Sequence, residues 1–212
     1  MNADPIADET AAPLLLDGVL PEFACTRVEC VVVPARPSVA YRAARDLDLL
    51  TVHGPLLDLA MWVRGVPDRV RRRPVPLPTS LRIADLFDTV GDEDQPWVGL
   101  GEDPGHEIVF GAVGTPWKPS ITWRRIEPEA FAAFDEPGWA KMAAALVVHP
   151  HGTHRSLLVY EVRTSCTDPS STARFRRYWT FVAPGVGLVL RGALRAVAEA
   201  AADVPRSEGD DL

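Results

Sequence analysis

The fold of this 212-residue chain is decided by residues 155–201, RSLLVYEVRTSCTDPSSTARFRRYWTFVAPGVGLVLRGALRAVAEAA. Residues 155–166 alternate in the manner of a β-strand, which places Tyr160 on one face and Glu161 and Arg163 on the other. The sequence leaves open which of these two faces meets the long helix that follows.

A long helix is predicted directly after this strand. Asp168 is a residue type that caps helices, and Pro169 fits the first helical position. Apolar residues at helical spacing then continue to Ala201. Proline inside a helix removes one backbone hydrogen bond, so the pattern predicts either one helix kinked at Pro184-Gly185 or two abutting helices.

Upstream of this block, strands outnumber helices. Alternation and turn residues predict five further strands, at 26–33, 97–102, 107–117, 121–126 and 139–149. Short helices are predicted at 38–50 with Ser38 as N-cap, at 55–63, at 80–87 with Ser80 as N-cap, and at 129–134. Short turns join successive strands, which favours an antiparallel sheet. We therefore predict an α+β fold in which a curved antiparallel sheet wraps around the long C-terminal helix.

Length and composition predict one domain at 14–204 with flexible tails at 1–13 and 205–212, since a domain usually takes about 100–200 residues. The net charge of −7 argues against a nucleic-acid partner, which would need a basic surface. Three cysteines without a CxxC motif and an acidic N-terminus indicate a cytoplasmic protein with free thiols. No uncharged apolar run approaches about 18 residues, so no membrane span is expected. The oligomeric state is left open between monomer and homodimer.

Three stretches resemble a known superfamily. They are PSVAYRAARDLDLL at 37–50, the EDPGHEIVFGAVGTPW within 99–117, and the block 161–195 that contains RFRRYWTFVAPGVGLVLRGALR. Over roughly residues 25–203 the chain resembles the START-like or SRPBCC superfamily, also called Bet v 1-like, and within it an uncharacterised bacterial branch. This resemblance implies the helix-grip fold, in which a sheet grips a C-terminal helix.

The helix-grip architecture normally encloses a cavity, so the leading hypothesis is a protein that binds a small hydrophobic or amphipathic molecule, such as a lipid or a polyketide-like compound. The alternative is an aromatase/cyclase- or dehydratase-type enzyme that uses the same cavity, with Glu161 or Tyr160 as the titratable group. A further alternative is a partner-binding module with a collapsed cavity. A binding protein without catalysis is favoured, because fold-level kinship does not transfer an activity.

Aromatic side chains would supply apolar contacts to the ligand, and charged side chains would orient its polar end. The predicted ligand-binding residues are Trp117, Lys141, Tyr160, Glu161, Arg163, Tyr178 and Trp179. A hairpin through 150–153 would place Lys141 opposite residues 163–168 and leaves a diagonal contact with Glu161 open. The alternatives are a surface pair for Glu161 and Arg163, a sheet salt bridge for Lys141, and core packing for the aromatic residues.

No catalytic constellation or cofactor motif is recognised. The histidines of HPHGTH, residues 149–154, lie in a predicted turn without a nearby carboxylate or thiol, so no metal site is predicted. The glycines of GLGEDPGHE, residues 99–107, are not followed by a helix that could hold a phosphate. Neither a metal nor a cofactor is therefore expected.

Overall fold

The computed structural model describes residues 13–49, 81–88 and 96–203. Its elements in chain order are α1 (Leu15–Val19), β1 (Cys25–Val33), α2 (Pro37–Arg45), α3 (Asp85–Asp88), β2 (Val98–Asp103), β3 (Glu107–Gly114), β4 (Trp123–Arg124), α4 (Pro128–Phe131), β5 (Ala140–Pro150), β6 (Ser156–Cys166) and α5 (Pro169–Ala202). The fold is α+β, a curved antiparallel sheet with a long C-terminal helix, and the predicted class is confirmed.

The sheet has six strands in the order β1-β6-β5-β3-β2, and β4 pairs with the end of β3. All neighbouring strands are antiparallel. The strands β5 and β6 pair from Ala140 opposite Cys166 to Pro150 opposite Ser156, so Lys141 lies opposite Ser165 as predicted. Glu161 lies opposite Ala145, four residues from Lys141 along β5, so these two side chains do not meet.

Hydrophobic residues cover both faces of the sheet. The face that contacts α2 and α5 carries Leu158 and Tyr160 of β6, in one core cluster with Leu194. The opposite face is covered by α1 and α4, whose Leu16 and Phe131 are fully buried. We call these the helix-facing side and the outer side of the sheet. Alternation along β6 then places Val159, Glu161 and Arg163 on the outer side.

The long helix α5 begins as the sequence predicts. The Asp168 carboxylate accepts a hydrogen bond from the Ser171 amide at 2.9 Å, and Pro169 occupies the first turn. Hydrogen bonds from Ser171, Ser170 and the Gly138 amide hold the pKa of Asp168 below its usual range. One helix continues through Pro184, which is exposed, so the alternative of two abutting helices is wrong.

Several predicted boundaries change. Helix α2 begins at Pro37 with Arg36 as N-cap, so Ser38 is not the cap, because proline at the first helical position places Ser38 inside the first turn. The helix ends at Arg45, since the following backbone turns to bond residues 81–84. The strand predicted at 121–126 is reduced to β4, and the one predicted at 107–117 ends at Gly114.

Some predictions lie outside the described residues. They include the helix at 55–63, the N-cap at Ser80, and most of both predicted tails. Within the described part of the predicted helix 80–87, the helical residues begin only at Asp85, since the Leu81 amide donates to Asp48. The domain limits 14 and 204 stay predictions.

Candidate functional site

The seven predicted binding residues separate onto the two sides of the sheet. Tyr160 lies on the helix-facing side, and Trp117, Tyr178 and Trp179 gather around Phe175 of α5. Lys141, Glu161 and Arg163 lie on the outer side. Because the sheet separates these two groups, they cannot line one cavity.

Arg163 and Glu161 are part of the contacts that hold α1 to the sheet. The Arg163 guanidinium donates to Glu161 at 2.6 Å and to Asp17 of α1 at 2.7 Å, and it lies 4.8 Å from the Phe23 ring. Both side chains of the pair are at least 85 % buried and satisfied by protein partners. The pair therefore lies across the sheet from α5 and cannot contact a ligand beneath that helix, whereas a ligand or catalytic role of Glu161 or Arg163 on the outer side stays a prediction.

Lys141 binds the chain beside α4. Its ammonium group donates to the Ala132 carbonyl at 2.8 Å and lies 6.0 Å from the centre of the Phe131 ring. Burial lowers its pKa from the ordinary value, which the charge of Asp135 partly offsets. Neither a ligand on the helix-facing side nor a sheet salt bridge accounts for its position.

A charged cluster that the sequence analysis missed lies between β1 and α5. The Glu29 carboxylate accepts hydrogen bonds from Arg27, at 2.9 Å from its Nε, and from Arg191 of α5 at 2.7 Å. The side chains of Arg27 and Arg191 are each 39 % exposed, whereas that of Glu29 is 15 % exposed. Two arginines share one carboxylate, so the cluster carries a net positive charge and has unused N–H donors.

The signal for this cluster is the alternation of β1. In CTRVECVVV, residues 25–33, Arg27 and Glu29 share a face with Val31 and Val33, which belong to the core under α5. The same spacing was noted on β6, where Glu161 and Arg163 are also two residues apart. Each of the two strands thus carries a glutamate and an arginine two residues apart, on opposite sides of the sheet.

A glycine allows the helix to approach this cluster. A Cβ atom at Gly187 would lie 2.9 Å from the Arg27 Nη2 atom and 3.0 Å from the Glu29 carboxylate. Any larger residue at this position of α5 would displace the two side chains. The close approach brings the helix backbone directly over the charged cluster.

The Glu29 cluster predicts a pH dependence of stability. Hydrogen bonds from Arg27 and, more weakly, Arg191 outweigh burial and lower the pKa of Glu29. A carboxyl group with a lowered pKa stabilises the folded state above its unfolded pKa, and this contribution is lost as pH falls. Between pH 6 and pH 3 the urea midpoint should therefore fall less in Glu29→Gln than in the wild type. The exposed-site variant Glu22→Gln should follow the wild type; equal shifts in all three proteins would contradict the assignment.

Tyr160 lies beside this cluster on the neighbouring strand, where it is paired with Glu29. Its side chain is 96 % buried, its ring contacts Phe110 at 6.4 Å, and burial raises the pKa of its hydroxyl. Among the described residues the hydroxyl has no hydrogen-bond partner. Among the described residues the one fully buried side-chain oxygen without a partner is the Ser171 Oγ, so the Tyr160 oxygen is not closed off and can donate to water or to a bound molecule.

Burial along the sheet-facing stripe of α5 changes at the middle of the helix. In the C-terminal half, Leu190 and Leu194 are at most 2 % exposed. In the N-terminal half, Phe175 is 2 % exposed, but Trp179, Ala183 and Val186, which follow it on the same stripe, are only half-buried. The sheet below has the same property, since Met142 and Val162 are half-buried on its helix-facing side. The segment of α5 from Trp179 to Val186 is therefore less closely packed on the sheet than the C-terminal half.

A cleft of about 630 Å³ lies elsewhere, between α2 and the C-terminal end of α5. Its lining residues among those described are Val39, Arg42, Ala43, Asp46, Leu47, Asp48, Ala196 and Ala200. None of the seven predicted binding residues contributes to it. The described part of the chain ends at Leu49, next to the lining residue Asp48, so we assign no ligand to this cleft.

Nucleophile and metal chemistry find little support in the described parts of the chain. Burial raises the pKa of Cys166 to about 12 and also raises that of Cys25, so both are thiols at neutral pH rather than nucleophilic thiolates. His149 contacts the His106 ring at 5.6 Å, but no group of three potential metal ligands occurs in the described ranges.

Comparisons with known proteins give a likeness in structure only. No protein-family model matches the chain, and no curated protein matches its sequence. Similar solved structures include a solution NMR structure of a protein from Thermobifida fusca, at 17 % identity and a TM-score of 0.39, covering 83 % of this chain and 92 % of that one.

Two further similar structures are enzymes. The Zhui aromatase/cyclase from Streptomyces sp. R1128 has 13 % identity and a TM-score of 0.31, covering 87 % of this chain and 98 % of that chain. Norcoclaurine synthase from Thalictrum flavum has 10 % identity and a TM-score of 0.31, covering 86 % and 90 %. Values this low carry no conclusion about family, activity or ligand.

Proposed function

We propose that this protein binds a small amphipathic molecule with an acidic group, in the space between the sheet and the N-terminal half of α5. The observation that carries the proposal is the half-buried state of Trp179, Ala183 and Val186 on the inner stripe of the helix. Apolar side chains that face a sheet without being closed off by it are typical of the wall of a ligand site.

The ends of this space differ in chemistry. At one end, Trp117, Tyr178 and Trp179 surround Phe175 and offer aromatic surface. Towards the other end, Arg27 and Arg191 retain donors around the shared Glu29 carboxylate. The cluster is net positive, so a carboxylate or phosphate is favoured over a neutral or cationic head group.

A thermal-shift screen tests the proposal. Straight-chain fatty acids, alcohols of equal length and flat aromatic acids would each be added to the full chain. Acids should raise the melting temperature more than their matching alcohols, because a ligand that binds only the folded state stabilises it. If none of these compounds raises the melting temperature, the binding proposal is wrong. A partner-binding module with a collapsed cavity is then the favoured function.

Tyr160→Phe is the sharpest single variant for this space. Removing a hydroxyl that has no protein partner should leave stability nearly unchanged, while losing one hydrogen bond to the ligand should weaken binding of an acid by about fivefold. Tyr41→Phe is the matched control, since Tyr41 donates to Glu102 and its loss should lower stability without affecting affinity. A Tyr160→Phe protein that loses stability and binds as tightly as the wild type would contradict the assignment.

A cytoplasmic location belongs to the same proposal. All three cysteines have free thiols, as expected in a reducing compartment.

A further inference from the structure

The outer face of α5 carries a ridge of four side chains spaced seven residues apart: Arg174, Phe181, Leu188 and Arg195. Residues at this spacing lie almost above one another on a helix, so the four form one line about 32 Å long. All are exposed, and Phe181 is 83 % exposed, more than any other large hydrophobic residue described. We call this line the α5 ridge.

The helix that carries the ridge is unusually apolar for its burial. It is the one helix among the described residues that is long and apolar enough to cross a membrane, and only 28 % of its apolar segment is buried in the protein. A search for uninterrupted apolar runs does not find this segment, because the longest stretch of α5 without a charged residue is residues 178–190. The C-terminal half is held in the core by residues such as Leu194 and Val197, so the helix is fixed along the sheet.

Charge along α5 is also one-sided. The helix contains five arginines and a single acidic residue, Glu199, in a chain whose net charge is −7. Arg174, Arg177 and Arg195 are exposed and have no ion-pair partner among the described residues. The positive charge of this face is therefore available to an anionic partner.

We propose that the α5 ridge docks the protein on an anionic lipid surface, with the helix lying in the plane of the membrane. Residues 178–190 contain no charged side chain, and arginines stand only at the two ends of this segment. That order matches an interfacial helix, in which Phe and Leu enter the acyl boundary while arginines contact head groups. If the partner were an acidic protein helix, we would expect arginines along the whole ridge and not only at its two ends. This proposal goes beyond the ligand site and does not depend on it.

Vesicle co-sedimentation of the full chain tests the proposal. Wild-type protein should bind vesicles of phosphatidylcholine and phosphatidylglycerol at 3:1 more tightly than vesicles of phosphatidylcholine alone. Phe181→Ser should lower the partition coefficient about tenfold, because it removes the main apolar contact. Arg174→Gln should lower it about fivefold, and added salt should weaken binding of the wild type.

The matched control is Val28→Ser, which removes a 48 % exposed apolar side chain from the outer side of β1. This variant should bind vesicles as the wild type does, and circular dichroism would establish that every variant is folded. Wild-type protein that stays in the supernatant with both vesicle types would overturn the proposal, and binding to immobilised polyglutamate instead would assign the ridge to an acidic protein. Phe181→Ser protein that binds as tightly as the wild type would overturn it too.

Discussion

Replacing Glu107 by alanine should lower the free energy of unfolding by about 3 kcal/mol. Glu107 is 1 % exposed, and its two carboxylate oxygens accept hydrogen bonds from the amides of Leu15, at 2.7 Å, and Leu16, at 3.1 Å. These two amides open helix α1, which has no other side-chain cap. Alanine would leave the buried Leu16 amide without an acceptor, at a cost of about 1–3 kcal/mol, and would also remove the bond to the half-exposed Leu15 amide.

Urea unfolding would measure the effect, and hydrogen exchange of the Leu15 and Leu16 amides would locate it. Glu22→Ala is the control, because Glu22 is an exposed acid close to the same helix and its loss should change stability by less than about 0.5 kcal/mol. A Glu107→Ala protein as stable as the control would show that α1 does not depend on this carboxylate.

The second large effect is expected for Arg191→Gln on ligand affinity. The change removes the charge that α5 contributes to the Glu29 cluster, so the remaining Arg27–Glu29 pair is neutral. Loss of a charge-assisted hydrogen bond of about 1.5–3 kcal/mol corresponds to a roughly ten- to hundredfold weaker affinity for an acid. Affinity for an uncharged ligand of the same length should not change.

Arg163→Gln is the matched control for this variant. Arg163 also pairs with a glutamate two residues away on its own strand, but on the outer side of the sheet, where Asp17 and Phe23 of the α1 region cover it. Its loss should lower stability, since it leaves the largely buried Glu161 carboxylate without its main partner, and should leave ligand affinity unchanged. Comparing Arg191→Gln with Arg163→Gln thus distinguishes an effect on ligand binding from an effect on stability alone.

Local patterns were sufficient for the main elements of the fold. The alternation of residues 155–166 and the start signal at Asp168-Pro169 give β6 and α5 nearly to the residue. Antiparallel pairing followed from the short turn after His149, and it placed Lys141 opposite Ser165 within the predicted range. These features depend on neighbouring residues in the chain, which is why periodicity and capping residues reveal them.

The side of β6 that faces α5 could not be predicted in the same way. Both faces of the strand carry aliphatic residues, so hydrophobicity gives no preference between the Tyr160 side and the Glu161 side. Helix α1 determines which side of β6 faces α5, because α1 covers the other side and contacts Glu107 and Arg163 there. These contacts join residues more than 90 positions apart, and α1 itself has only five residues, too few for a periodic signal.

The most direct test of the ligand site is isothermal titration of decanoate and 1-decanol into the wild type, Arg191→Gln and Arg163→Gln. We expect the wild type and Arg163→Gln to bind decanoate more tightly than 1-decanol. Arg191→Gln should bind decanoate at least tenfold more weakly than the wild type does, with an unchanged affinity for 1-decanol. Equal affinity of the wild type and Arg191→Gln for decanoate, or a loss of the preference in Arg163→Gln alone, would contradict a ligand site between the sheet and α5.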